Sequence, residues 1–189
     1  MLRIGMVGEY PTDVDCISSL LLKKYDSKVS FFPLIYDVHG SNLENPKIKH
    51  QLRREYQIVK PDFVLFIRDL DGLEDNAAQL DQRKSYFTDF NNVVDKRGIL
   101  LLNIHELEAL LLSDIDKLTS YYNVELDEII DCMKIEDPKG YLKERIKKYS
   151  TGDNITLFSL LDYDRVVNNC RYFRRFSDDF SEIVKRKTA

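Results

Sequence analysis

The chain has 189 residues and a mass of 22.2 kDa, a length that predicts one domain with at most a small appendage. Hydrophobic residues make up 43% of it and charged residues 32%, whereas glycine, proline and cysteine are few, which excludes collagen-like, low-complexity and disulfide-scaffold proteins. The formal net charge of −4 gives no overall positive field for nucleic acid, although a local patch or bound metal ions can still attract phosphates.

The cysteines and the apolar runs predict a cytoplasmic protein. Cys16, Cys132 and Cys170 are far apart and form no C-x-x-C pair, so we expect reduced, buried thiols and no zinc ligation. The N-terminal apolar run is too short and interrupted for a signal peptide, and no later stretch approaches the ~20 apolar residues of a membrane span. We therefore expect no membrane partner.

The first hundred residues alternate short apolar runs with longer amphipathic stretches, the pattern of strands connected by helices. The expected strands are 2–7, 29–34, 63–67 and 99–104, and the expected helices are 14–25, 46–59 and about 77–96. Pro61 ends the second helix, because the residue before a proline avoids helical geometry. Strands that are apolar throughout indicate a mostly parallel sheet covered by helices on both faces.

The rest of the chain reads as helical. The expected helices are 106–112, 114–122, 126–133, 138–148 and much of 155–184. We thus predict an α/β domain over 1–112 and a helical C-terminal extension over 113–189 that packs on it. The basic, aromatic tail is predicted to form an amphipathic helix that buries Tyr172, Phe173, Phe176 and Phe180, with a path for a nucleic-acid strand as the alternative.

Acidic side chains follow three of the predicted strands. Glu9 follows the first, Asp69 and Asp71 the third, and Glu106 and Glu108 the fourth. Ligands of parallel sheets lie beyond the carboxyl ends of the strands, where these loops would open together. Crowded carboxylates repel, and a hard cation such as Mg²⁺ with oxygen ligands is the natural compensation. The sequence therefore predicts a Mg²⁺ or Mn²⁺ site.

The acidic motif also has a simpler interpretation. Asp69-Leu70-Asp71-Gly72 on its own is typical of an acidic turn in which Gly72 supplies a positive φ. It also looks like the first motif of haloacid-dehalogenase-type phosphatases, in which the first aspartate attacks phosphorus. That family usually has threonine or valine next, whereas Leu73-Glu74 follows here, and its downstream lysine and acidic motifs are not evident.

The motifs resemble those of a known group. Gly8-Glu9 after the first strand and Asp69-Leu70-Asp71 after a later one resemble the Toprim fold shared by topoisomerases, primases and nucleases of the overcoming-lysogenization-defect group. More narrowly, 66–72 followed by 105–114 is similar to a family of small bacterial Toprim-like proteins. That family has an arginine–aspartate–x–aspartate motif and then a glutamate-x-glutamate-alanine helix ending in aspartate. The resemblance covers roughly 1–148, including the Asp137-Pro138-Lys139 region.

The resemblance implies a Toprim-like fold and a Mg²⁺- or Mn²⁺-dependent phosphoryl-transfer enzyme, above all a nuclease, in a mobile-element or phage-defence system. It implies nucleic acid as partner and allows a protein partner from the same system. The catalytic residues that it implies are Glu9, Arg68, Asp69 and Asp71, and the metal ligands are Glu9, Asp69, Asp71, Glu106 and Glu108. Asp13 stands where many members carry a second acid, and Tyr10-Pro11 replaces a segment that is often glycine-rich.

Substrate-binding residues are predicted beside the acids. Arg68 is expected near the phosphate, and His105 is either a structural, hydrogen-bonding histidine or a proton shuttle. Lys139 is a further candidate, and with Lys143, Arg145, Lys147 and Lys148 it forms either a solvated helix face or a substrate path. Because an acidic crevice repels a polyanion until a cation fills it, we expect substrate binding as well as turnover to require the metal. A non-catalytic Toprim-like binding or regulatory module is the alternative of a different class.

Overall fold

A computed structural model describes residues 1–129 and 131–188. Four parallel strands form one sheet in the order β2–β1–β3–β4. They are β1 Leu2–Val7, β2 Val29–Pro33, β3 Phe63–Asp69 and β4 Gly98–Asn103. The predicted α/β class, the parallel sheet and the helical C-terminal part are confirmed. The strand β3 runs two residues beyond its predicted end, which brings Asp69 opposite Asn103 of β4.

Nine α-helices lie among the described residues. They are α1 Thr12–Tyr25, α2 Pro46–Val59, α3 Ala77–Val93, α4 Glu108–Leu111, α5 Ile115–Tyr122, α6 Pro138–Arg145, α7 Asn154–Leu160, α8 Tyr163–Asn169 and α9 Arg171–Thr188. The helix α2 has its predicted bounds, with Asn45 as N-cap and Lys60 in the left-handed region at its end. The helix α3 ends three residues early, because Asp95 and Lys96 both take positive φ angles. No helix in the described parts is long and apolar enough to cross a membrane.

The prediction of a helix over 126–133 was wrong. Residues 126–129 have no regular structure, Ile130 lies outside the described residues, and Cys132–Lys134 is a single 3₁₀ turn. The helix predicted over 106–112 is likewise reduced to α4, which continues into a 3₁₀ turn at Leu112–Asp114. The helix α6 stops at Arg145 and leaves 146–148 as a loop.

The two faces of the sheet bury different helices. Leu65 and Ile67 of β3 belong to a core shared with α1 and the C-terminal helices, whereas Val64 and Phe66 pack against α2 and α3. This alternation follows from the two-residue period of a strand. The larger core contains Phe173, Phe176 and Phe180 of α9, as predicted for the tail, with Tyr172 only half-buried. One continuous apolar core therefore joins the helical extension to the sheet.

The centre of the sheet depends on a glycine at one position. Gly5 of β1 lies beside Leu34, and a Cβ atom on Gly5 would come within 2.5 Å of the Leu34 Cδ1 atom and 2.6 Å of its Cγ atom. Since Gly5 and Leu34 are both buried, the Leu34 side chain has no free space to move into.

Gly5→Ala is expected to lower the free energy of unfolding by about 1–3 kcal/mol, because overpacking forces Leu34 off its position. Urea denaturation measures the change. Gly152→Ala is the matched control, since a Cβ atom there meets only the Ser150 hydroxyl at an ordinary 3.5 Å. Equal midpoints for the two variants would contradict this packing argument.

Candidate functional site

Three of the predicted acids meet at the carboxyl edge of the sheet. Glu9 follows β1, and Asp69 and Asp71 lie at the end of β3, the neighbouring strand. All three line one cavity of about 320 Å³, together with Asp13, Gly40, Glu44, Arg68, Gln82 and Arg83. Parallel pairing of β1 with β3 places these loops side by side.

Glu9 and Asp13 are held in place by backbone groups. The Glu9 Oε1 atom accepts a hydrogen bond of 2.7 Å from the Gly40 backbone N–H. Gly40 has a φ of 48°, a conformation that suits glycine because it lacks a Cβ atom. The Asp13 Oδ2 atom accepts from the Glu9 backbone N–H at 3.1 Å, and Asp13 is buried in the first turn of α1. Glu9 therefore links the end of β1 to the segment after β2.

The floor of the cavity disfavours negative charge. Burial raises the pKa of Asp69 from its ordinary 3.8 to about 7; hydrogen bonding from Asn103 opposes this, and the charges of Glu108 and Asp71 add to it. Burial also raises the pKa of Asp13 well above its usual range, assisted by Asp69 and Glu9. In a poorly solvated place, neighbouring carboxylates penalise each other's ionised form. A cation placed here would relieve that penalty.

Two arginines bind the acids at the rim. The Arg83 guanidinium donates to Asp71 Oδ2 and to Glu44 Oε1, both at 2.5 Å, and to the Asp69 carbonyl at 2.8 Å. Arg68 donates to the same Glu44 oxygen at 3.0 Å and lies 5.3 Å from the centre of the Tyr86 ring. Arg68 lines the cavity, but its guanidinium is buried and already paired.

The acidic turn differs from the simple expectation for its glycine. Asp71 carries the positive φ, 59°, whereas Gly72 does not take one. His105 also has a φ of 59° and is buried. The His105 backbone N–H donates to the Gly72 carbonyl at 3.1 Å, and the His105 carbonyl accepts from the Asp71 backbone N–H at 2.9 Å. Non-glycine residues in this region cost conformational energy, so the two paired loops store strain beside the cavity.

Glu106 and Glu108 pair with a lysine from α6. The Lys139 Nζ atom lies 3.5 Å from Glu106 Oε1 and 3.8 Å from Glu108 Oε1. Burial lowers the pKa of Lys139, but the charges of Glu108 and Glu106 outweigh that effect and raise it. Buried Glu108 also accepts from the Asn154 side chain at 3.1 Å. Neither glutamate is among the described residues that line the cavity, although the charge of Glu108 acts on Asp69.

The donor set suits a hard cation without enclosing one. Among the described residues, no three histidine, cysteine or acidic side chains are grouped closely enough to hold a metal ion as they stand. The oxygens of Glu9, Asp69 and Asp71 nevertheless face one cavity, and the buried Asn103 Oδ1 atom, beside Asp69, has no hydrogen-bond partner in the described structure. Carboxylate and amide oxygens are the ligands that Mg²⁺ takes. These residues fit the metal that the resemblance implies.

The residues that hold these acids were not predicted from the sequence. Glu44, Arg83, Asn103 and Asn154 each come from a different segment of the chain. Asn103 alone had a usable signal, since it ends a predicted strand next to the one that carries Asp69. Of the predicted substrate-binding residues, only Arg68 lines the cavity; Lys139 contacts the acids of the β4 loop, and the His105 Nε2 atom is buried without a hydrogen-bond partner in the described structure.

Comparison with known proteins assigns the chain to a family. Residues 9–180 match the model of a family described as a domain of unknown function, DUF4276. Because the match covers most of the chain and includes every acid discussed above, the protein belongs to that family. No curated protein and no solved structure matches the chain.

Asp69→Asn is expected to stabilise the metal-free protein at about pH 8 by on the order of 1–4 kcal/mol, and by less at about pH 5. The folded Asp69 carboxyl binds its proton up to about pH 7 and the unfolded one only to about 3.8, so stability from this group falls as pH rises between these values. Asparagine keeps an acceptor for Asn103 but carries no charge. Urea denaturation in EDTA at both pH values measures the change in the free energy of unfolding, with the exposed Asp81→Asn as control. An equal change at the two pH values would contradict the raised pKa of Asp69.

Lys139→Met should lower the melting temperature, since it leaves Glu106 and buried Glu108 without their cation. Added Mg²⁺ should restore part of the loss. Lys143→Met, a substitution at an exposed position of the same helix, is the control. Differential scanning calorimetry with and without Mg²⁺ measures the melting temperatures of both variants. Equal melting temperatures would contradict the pairing of Lys139 with the two glutamates.

Proposed function

We propose that this protein is a Mg²⁺- or Mn²⁺-dependent phosphoryl-transfer enzyme, a nuclease that cleaves nucleic-acid phosphodiesters. The observation that carries the proposal is the meeting of Glu9, Asp69 and Asp71 around one cavity at the carboxyl edge of a parallel sheet. Ligands of open α/β sheets bind at this edge. The resemblance of the same residues to Toprim proteins supports the phosphoryl-transfer chemistry.

Each residue has a role in this proposal. Asp69, Asp71 and Glu9 would hold the metal, with Glu108 or Glu106 completing the set, and Glu9 would otherwise serve as general acid or base. When bound, the metal ion polarises the phosphate, supplies hydroxide from water and stabilises charge on the leaving oxygen.

The remaining residues position these groups. Arg83 keeps the Asp71 carboxylate at the rim, and Asp13 orients the Glu9 backbone. Arg68 places positive charge at the cavity wall, where it would face a substrate phosphate. Lys139 offsets the charge of the two glutamates and thereby lowers the repulsion that a polyanion meets.

The cellular setting is part of the proposal. We place the protein in the cytoplasm, supported by three cysteines that are buried and unpaired. We also propose a role in a mobile-element or phage-defence system, with nucleic acid as partner and a second protein of that system as a further partner. The Toprim-like resemblance is the support for this setting.

A non-catalytic binding or regulatory module is the second candidate, and one observation favours it. Several of the acids already have protein partners: Arg83 for Asp71, the Gly40 N–H for Glu9, and Lys139 for Glu106 and Glu108. A site stabilised by its own side chains does not require a metal to fold. In this case the same fold would bind a partner without turnover.

Asp69→Ala/Asp71→Ala is expected to abolish cleavage and to remove the rise in melting temperature that Mg²⁺ or Mn²⁺ gives the wild type, because the variant lacks both aspartate ligands. Purified protein is incubated with single- and double-stranded DNA and RNA and either metal, and products are separated by electrophoresis. Asp178→Ala/Asp179→Ala on the exposed face of α9 makes the same charge change away from the site and should behave as wild type.

Cleavage that persists in the Asp69/Asp71 double variant would discard the site assignment. A wild type that is stabilised by metal but cuts none of the four substrates would favour the non-catalytic module. A wild type that neither gains stability nor cuts would end the metal-dependent proposal altogether.

A further inference from the structure

A second cavity, of about 360 Å³, lies between the end of α5 and the loop after α6. One side is formed by Tyr122, Asn123 and Val124 and the other by residues 145–148. We call it the basic pocket, because Arg145, Lys147 and Lys148 supply its charged side chains. No acidic residue is among the described residues that line it, in a protein whose net charge is negative.

The cations of the basic pocket are available to a ligand. Lys147 and Lys148 are exposed, and neither forms an ion pair within the described residues. Arg145 lies 3.6 Å from Asp127, but both side chains are largely exposed, and such a surface pair contributes little. The pocket therefore presents positive charge that the protein itself does not neutralise.

An exposed aromatic ring contacts one wall residue of the basic pocket. Tyr121 is 44% exposed, one of the few large hydrophobic side chains left in solvent in the described structure. Its ring meets that of Tyr122, a residue of the pocket wall, edge to face at 4.8 Å between centroids. An aromatic ring exposed near a positively charged groove is the combination that proteins use to hold single-stranded nucleic acid.

The helix α6 connects the basic pocket to Glu106 and Glu108, and the charge of Glu108 acts on Asp69 in the acidic cavity. The helix α6 has Lys139, which contacts Glu106 and Glu108, in its first turn and Arg145 at its last position. The eight residues of α6 span about 12 Å, a distance that a few nucleotides of one strand can cover. A second link connects the two: the Tyr122 ring contacts Tyr149, whose hydroxyl donates to Asn154, the partner of Glu108.

We propose that the basic pocket binds the phosphate backbone of a single-stranded segment of nucleic acid, and that Tyr121 stacks on one of its bases. The same nucleic acid would enter the cavity lined by Glu9, Asp69 and Asp71. The inference rests on the proposed function, since it concerns the substrate of the same site. Of the two interpretations of the basic residues in 139–148, a solvated helix face or a substrate path, it favours the substrate path for 145–148. The exposed face of α9, which carries Arg174, Arg175 and Lys185, is the competing location.

Binding of a fluorescein-labelled oligothymidylate, measured by anisotropy in Ca²⁺ over a range of salt concentrations, tests the proposal. Lys147→Gln/Lys148→Gln should weaken binding about tenfold and reduce the slope of log K against log salt by about 1.4, or about 0.7 for each lost phosphate contact. Tyr121→Ala should weaken binding roughly five- to hundredfold without changing the slope, because stacking releases no counterions. Arg175→Gln/Lys185→Gln, the same charge change on α9, should match the wild type.

The other results would overturn the proposal. Equal loss in the α9 variant, or none in the pocket variants, would remove the basic pocket as the binding site. A labelled duplex bound more tightly than oligothymidylate and oligouridylate, with no effect of Tyr121→Ala, would exclude single-strand recognition. The proposed function fails separately, when a wild type that binds these strands cuts neither them nor the duplex substrates in Mg²⁺ or Mn²⁺.

Discussion

Repulsion among carboxylates in a poorly solvated place is the interaction on which the rest of this structure depends. Parallel pairing of β1 with β3 brings Glu9 and Asp69 to one edge of the sheet, and α1 adds Asp13 to them. Burial and like charge both raise the pKa of Asp69, to about 7. A fold gains nothing in stability from such a cluster, so its presence needs a reason outside folding.

The protein pairs the outer acids of the site with cationic side chains but gives the inner acid Asp69 no such partner among the described residues. Arg83 forms ion pairs with Asp71 and Glu44 at the rim of the cavity, and Lys139 forms ion pairs with Glu106 and Glu108 after β4. For Asp69 the described structure offers a neutral amide, from Asn103, and no ion pair. These ion pairs thus hold the surrounding acids, whereas Asp69 and Asp13 at the floor of the cavity have no cationic partner among the described residues. The unpaired inner acid supports the proposal of a metal-dependent enzyme, whereas the paired outer acids support the proposal of a binding module.

Much of the fold was predictable because its signals are local. The apolar runs of β1, β3 and β4 and the capped start of α2 need only neighbouring residues to be recognised. The meeting of Glu9, Asp69 and Asp71 was predictable for a different reason, since parallel strands send their carboxyl ends to one edge.

The rest depends on contacts between distant segments. The pairing of Arg83 with Glu44 joins residues 39 positions apart, and that of Asn154 with Glu108 spans 46. Neither pair leaves a periodic pattern in the sequence. The segment 126–129 has apolar residues at helical spacing, yet Leu126 and Ile129 pack on the core as irregular chain. Tertiary packing overrode local preference there.

The most direct measurement is anomalous scattering from crystals grown with Mn²⁺. We expect a peak in the cavity within about 2.0–2.3 Å of a carboxylate oxygen of Asp69, shared with Glu9, Asp71 or Glu108. Density with no such peak in the cavity would contradict the metal site.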